Sequence, residues 1–161
     1  MLISLPVVWI IIIDFVGWFI IHMSVAYGIT RLPKRYINTS AWLYRQRSWE
    51  KRGRIYEKLF QIKRWKGLLP DGAALFKQGF RKKQLASPTR EYLQEFILEM
   101  CRAELVHWLV ILFAPVFFIW NWWWAGIIMI VYALLANMPC IIAQRYNRVR
   151  FRRLLARMPE A

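Results

Sequence analysis

Apolar and basic stretches alternate along this chain. Residues 2–27 are apolar but for Asp14 and His22 and a few small polar residues. A second run, 105–143, is longer still, and "NWWW" at 121–124 interrupts it. About 20 apolar residues cross the hydrocarbon core of a bilayer. The first run therefore predicts one spanning helix, and the second predicts a helical hairpin with a tight turn. Trp120, Trp122, Trp123 and Trp124 belong at the headgroup level, where amphipathic rings settle.

The stretch between the two runs mixes cations with large apolar residues. In "SWEKRGRIYEKLFQIKRW" (48–65), Ile55, Leu59 and Ile62 recur at helical spacing. A basic helix with such a face lies on an anionic membrane surface. "LLPDGAAL" (68–75) reads as a chain reversal, since Pro and Asp-Gly favour turns. "FRKKQ" (80–84) reads as a solvated or headgroup-facing charge run. A further helix is expected to start with Ser87 as N-cap and Pro88 in the first turn. It meets no breaker before Pro115 and so runs straight into the membrane.

These expectations give an all-α integral membrane protein with three transmembrane helices. Span 1 covers 1–29, basic amphipathic helices cover 30–102, a transmembrane hairpin covers 103–143, and a basic tail covers 144–161. At about 100° per residue, Leu93, Ile97, Met100, Glu104, His107 and Ile111 share a sector roughly 80° wide. Glu91, Glu95 and Arg102 fall opposite. Glu104 and His107 thus continue the apolar stripe that packs inward, one helical turn apart, where the long apolar run begins.

Charge fixes the expected orientation. The formal net charge is +15, yet no Lys or Arg occurs in residues 1–30 or 103–144. Eighteen lie in 31–102 and six in 145–157. By the positive-inside rule both basic stretches are cytoplasmic. Three spans, with the N-terminus outside, put every cation on one side of the membrane. "SVA" at 24–26 resembles a signal-peptide cleavage site, but the basic n-region such a peptide needs is missing. Hydrophobic residues make up 58% of the chain, too many for an ordinary soluble domain. Cys101 and Cys140 lie beside or within spans and read as buried, reduced thiols.

Titratable groups are costly inside a membrane and mark function there. Glu104 and His107 sit at i,i+3 and can touch. A carboxylate beside an imidazole orients it and suits it to general-base work; the other reading is a buried pair that satisfies itself. Glu-x-x-His is also half of a di-iron motif. A full site needs a second copy, and the only other histidine, His22, has no Glu three positions before it. Asp14 and His22, about 80° apart on the first span, read as pocket or packing residues.

The third span ends in "ANMPCIIAQRYNRVRFRR". Pro139 removes a backbone donor and frees the carbonyl of Leu135, so a kink is expected, with Asn137 placed to satisfy a freed group. Gln144, Arg145, Asn147 and Arg148 cluster at the exit. They serve either as anchoring charge or as a site for phosphates and sugar hydroxyls, because Arg binds phosphate bidentately. Trp65 could position a sugar. Asp71 in "PDG" is either a turn residue or a second acid. No Gly-rich phosphate loop, nucleophile elbow or zinc spacing is present. The basic aromatic surface flanks spans, which favours lipid headgroups over nucleic acid as its partner.

"TRLPKRYI" (30–37), "FQIKRWKGLLPDG" (60–72), "RAELVHW" (102–108) and "ANMPCIIAQRYNRVR" (136–150) together resemble the glycosyl-4,4'-diaponeurosporenoate acyltransferase family. These are small bacterial membrane enzymes of staphyloxanthin-type carotenoid synthesis. The resemblance runs from about residue 28 to 150 and is strongest at "RAELVHW" and "AQRYNR". It implies transfer of a fatty acyl group to the primary hydroxyl of a sugar on a lipid-soluble aglycone, with a glycosylated carotenoid as acceptor.

The residue roles come from the reading above. His107 and Glu104 form the catalytic pair, with the base on the cytoplasmic side of a bacterial cell membrane. Arg145 and Arg148 hold the donor's phosphates or the developing oxyanion. Gln144, Asn147, Asn137, Trp65 and Asp71 serve substrate binding. The acyl donor is acyl-CoA or acyl carrier protein, a co-substrate rather than a cofactor, and no metal is called for. The rival reading is a non-enzymatic membrane scaffold that binds anionic lipid within a synthesis complex.

Overall fold

The computed structural model describes residues 5–69 and 89–159. The expected turn at 68–75 falls almost wholly outside these residues. Asp71, the charge run at 80–84, and Ser87 and Pro88 lie outside them altogether.

Among the described residues the protein is all helical, and three helices are long and apolar enough to cross a membrane. The first, α1, spans Val7–Arg31. Next come 3-10 turns at Lys34–Tyr36, Trp42–Tyr44 and Ser48–Gly53. Two short helices follow, α2 at Arg54–Lys58 and α3 at Ile62–Trp65. The second long helix, α4, spans Arg90–Phe113 and passes through a 3-10 stretch, Ala114–Ile119, into the turn. The third, α5, spans Trp123–Leu155.

With a rise of about 1.5 Å per residue, α5 is about 50 Å long, roughly 20 Å more than a hydrocarbon core. Residues 144–155 continue the helix that begins at Trp123. Residues 90–102 likewise belong to α4.

The outer faces are lipid-like. Val7, Phe15, Phe19, Leu112 and Leu135 are exposed apolar side chains on the spans. Trp122, Trp123 and Trp124 are exposed at the turn, as amphipathic anchors require. Inside, Trp18 of α1 stacks on Phe117 with ring centroids 4.5 Å apart and meets Tyr132 of α5 edge-on. Asp14 is buried and its Oδ1 accepts from Trp120 Nε1 at 2.8 Å and Asn121 Nδ2 at 2.7 Å. A carboxylate that cannot be left bare in lipid thus clamps α1 to the hairpin turn. This puts Asp14 at the turn end of the span. His22, two turns on, lies edge-on to Trp18 with centroids 5.6 Å apart.

The basic segment differs from the expected amphipathic helices. The backbone is left-handed at Lys51, Arg52 and Gly53, and again at Gln61, which breaks residues 48–65 into short pieces. The apolar face differs too. Leu59 is exposed, whereas Tyr56 and Ile62 are buried against Ala143 and Tyr146 of α5. On the other side, Ile37 and Tyr44 pack on Cys101 of α4. Residues 32–69 thus wrap the basic ends of α4 and α5 from two sides.

The buried face of α4 is wider than one stripe, adding Phe96, Cys101 and Val110: the wrapping segment covers Cys101, and Phe151 of α5 meets Phe96. The wrapping also brings in Arg102, which the helical spacing places on the polar side. Arg102 donates to the Leu32 carbonyl at 2.9 Å and pairs with Glu99 at 2.6 Å. The N-cap of α4 is Thr89, whose Oγ1 accepts from the Tyr92 amide at 3.3 Å.

Candidate active site

Helical periodicity on α4 turns Glu104 inward, and the structure buries it completely. Its partners come from α5, which runs antiparallel alongside. Arg145 Nε donates to Oε1 at 2.8 Å, and Arg148 Nη1 makes a short bond to Oε2. Trp108 Nε1, one turn further along α4, also reaches Oε1 at 3.2 Å. All three nitrogens of Arg145 are engaged: Nη1 donates to Oε1 of the buried Glu50 at 3.0 Å and Nη2 to the Leu43 carbonyl at 2.6 Å. Arg148 is itself buried, with its guanidinium 5.4 Å from the Tyr44 ring centroid. Burial pushes the Tyr44 hydroxyl up to about 12, so it stays protonated. Two carboxylates and two guanidiniums form a buried cluster of zero net charge. Burying these charges is itself costly, and removing one partner would leave another uncompensated.

His107 has a different partner. Its Nδ1 lies 2.9 Å from Asn137 Oδ1. The Asn137 amide nitrogen donates to the Ala133 carbonyl at 2.8 Å, so the oxygen must be the atom that faces the imidazole. A neutral imidazole then carries its proton on Nδ1, and its lone pair on Nε2. Asn137 is buried and His107 half-buried. His107 thus meets an amide across two helices, while Glu104, one turn before it, pairs with the guanidiniums of α5.

Helix α5 continues through Pro139. Asn137 bonds the carbonyl four residues before itself rather than that of Leu135, and this holds its side chain at a fixed angle.

The remaining expected site residues separate. Gln144 and Asn147 line a cleft of about 570 Å³ with Lys66 and Arg150, on another side of α5 from Arg145 and Arg148. Trp65 is packed against the Tyr56–Tyr146 cluster, and its indole donates to the Phe60 carbonyl at 2.6 Å. A second cleft, about 740 Å³, lies between residues 37–45 and the basic ends of α4 and α5. Neither cleft is lined by Glu104 or His107. Glu50 is the participant that sequence reasoning missed. It lies in a charge-rich stretch where nothing local distinguishes it from an exposed acid.

The family model for glycosyl-4,4'-diaponeurosporenoate acyltransferase matches residues 40–157. Proteins of that name from Staphylococcus aureus strains N315 and USA300 are 33% identical over 138 residues, 86% of this chain and 83% of theirs. The chain belongs to the glycosyl-4,4'-diaponeurosporenoate acyltransferase family. No solved structure matches it. The matched region contains the whole of the charge cluster and the His107–Asn137 pair. The family match thus covers the wrapped basic segment from residue 40 and two of the three membrane-length helices. α1, which lies outside the matched residues, is fastened to the remainder by Asp14.

Proposed function

We propose that the protein transfers a fatty acyl group from an acyl thioester to a sugar hydroxyl of a glycosylated carotenoid or related glycolipid. Family membership supports acyl transfer, and the name carried by the relatives supports the acceptor class. The observation that supports the mechanism is the His107–Asn137 contact, in which Nδ1 lies 2.9 Å from Oδ1; with the proton on Nδ1, Nε2 is the basic nitrogen.

The sugar hydroxyl gives its proton to Nε2 as its oxygen attacks the thioester carbonyl. Asn137 Oδ1 accepts from Nδ1 throughout and steadies the imidazolium that forms. When the tetrahedral intermediate collapses, the carbon–sulfur bond breaks, and Nε2 returns the proton to the departing thiolate. Proton and electron pairs balance, and the imidazole ends as it began. Such general acid–base help contributes about 10²–10⁴-fold.

Glu104 keeps its place in this reading through position. It locks α4 against α5 one turn from His107, so the imidazole and the amide stay in register. Arg145 and Arg148 neutralise Glu104 and Glu50 rather than binding donor phosphates. The apolar aglycone and acyl chain lie in the lipid around the spans. The basic end faces the cytoplasm, in keeping with the positive-inside rule, and there meets a water-soluble donor. No cofactor beyond the thioester co-substrate is invoked.

The test is incubation of the purified protein with acyl-CoA, with and without a glycosylated carotenoid. Thiol release that requires the glycolipid, with a product heavier by one acyl group, is the expected result. A lipid-binding scaffold releases no thiol under either condition.

A further inference from the structure

The cations of α5 fall into two sets. Arg145 and Arg148 are ion-paired with Glu104 and Glu50, and Arg152 donates to the carbonyls of Thr39 and Tyr44. Arg150, Arg153 and Arg157 instead line the 570 Å³ cleft with Lys66, Gln144 and Asn147. Among the described residues the cleft's lining contains four cations and no carboxylate. Its size falls within the range of small-molecule sites, about 300–1,000 Å³.

The cations also crowd one another. Lys66 lies 5.1 Å and Arg150 5.5 Å from the Tyr146 ring centroid. Burial, and then the neighbouring charges of Arg150 and Lys63, hold the Lys66 amine below its ordinary value. One of the nearest carboxylates, Glu57, is already bonded to Lys63 and the Tyr146 hydroxyl. A concave site with surplus positive charge and two amide side chains suits an anion with several oxygens.

Position narrows the ligand. From Asn147 back to Asn137, which holds His107, is ten residues of α5, or roughly 15 Å. Thioester carriers place their phosphates at one end of a long flexible linker and the thioester at the other. A glycerolipid headgroup keeps its phosphate beside the acyl esters. A phosphate site remote from the base therefore fits the thioester carrier. We propose that the cleft lined by Lys66, Gln144, Asn147, Arg150, Arg153 and Arg157 binds the phosphate-bearing end of a coenzyme A-type acyl donor. This inference rests on the acyl-transfer reading, but its test does not read turnover.

The protein in phosphatidylcholine nanodiscs is titrated with coenzyme A and with pantetheine, which lacks the phosphates. The wild type is expected to bind coenzyme A at least about tenfold more tightly than pantetheine. The double variant Lys66→Gln/Arg150→Gln is expected to lose at least about tenfold in coenzyme A affinity at an unchanged thermal midpoint, because charged hydrogen bonds carry that order of energy. Equal coenzyme A affinity in both proteins overturns the proposal, as does equal affinity for the two ligands. If the wild type ignores coenzyme A but retains phosphatidylglycerol that the variant releases, the cleft is a headgroup site and the proposal is also overturned. Acyl transfer from a carrier-protein donor without coenzyme A binding would leave the function standing and remove only this site. Coenzyme A binding without acyl transfer would do the reverse.

Discussion

A single carboxylate decides how the two helices next to the candidate base are held. Glu104 has no exposure and takes donors from Arg145, Arg148 and Trp108, while Arg145 ties the same cluster to Glu50 and to the Leu43 carbonyl. Removing one partner of such a cluster leaves a charge buried without compensation, at about 3–5 kcal/mol. Glu104→Gln keeps the shape and deletes the charge. It is expected to lower the thermal midpoint clearly in detergent, and unfolding scans of the purified variant check this. A midpoint within error of wild type would mean that the guanidiniums find other anions or water. The inward position of Glu104 and His107 was legible from helical spacing alone. Their partners were not, because the register of α5 against α4 is a tertiary property. Pairing by nearness in sequence favoured Glu104 for His107, whereas the fold supplies Asn137 from thirty residues away.

The three membrane-length elements were readable because apolar runs of that length have few alternatives. The basic segment was not. Its 3.6-residue pattern at Ile55, Leu59 and Ile62 suggested one helix, yet Lys51, Arg52 and Gln61 adopt left-handed backbone. Each such residue costs of order 1–3 kcal/mol. Burial of Glu50 against Arg145, and of Tyr56 and Ile62 against α5, offsets that cost. Tertiary contact thus overrides local preference there. At the hairpin turn the fit is closer still. A Cβ on Gly126 would stand 2.5 Å from the Phe118 ring, so the 3-10 stretch packs directly on the α5 backbone. Gly126→Ala is expected to destabilise by about 1–3 kcal/mol as an overpacking change. Thermal unfolding reads this, with Gly28→Ala as the comparison, since no atom lies within 4 Å of a Cβ there. Equal midpoints for the two variants would refute the tight packing.

The molecule as a whole is polarised along its long helices. The exposed Trp122, Trp123 and Trp124 of the turn lie at one end, and the wrapped cationic segment lies at the other. Asp14 fastens α1 at the first end, and the Glu104 cluster fastens α4 to α5 at the second. Between a lipid-soluble acceptor and a water-soluble thioester, a base at the boundary of the apolar layer is where the two can meet. In the proposed reaction His107 is that base, with Nδ1 2.9 Å from the oxygen of the buried Asn137 amide. The most direct measurement is therefore the acyl-transfer rate of His107→Ala beside wild type, both in nanodiscs with glycolipid and acyl-CoA. A fall of at least about 10²-fold at an unchanged thermal midpoint is predicted. A folded His107→Ala protein that turns over at close to the wild-type rate would contradict the account.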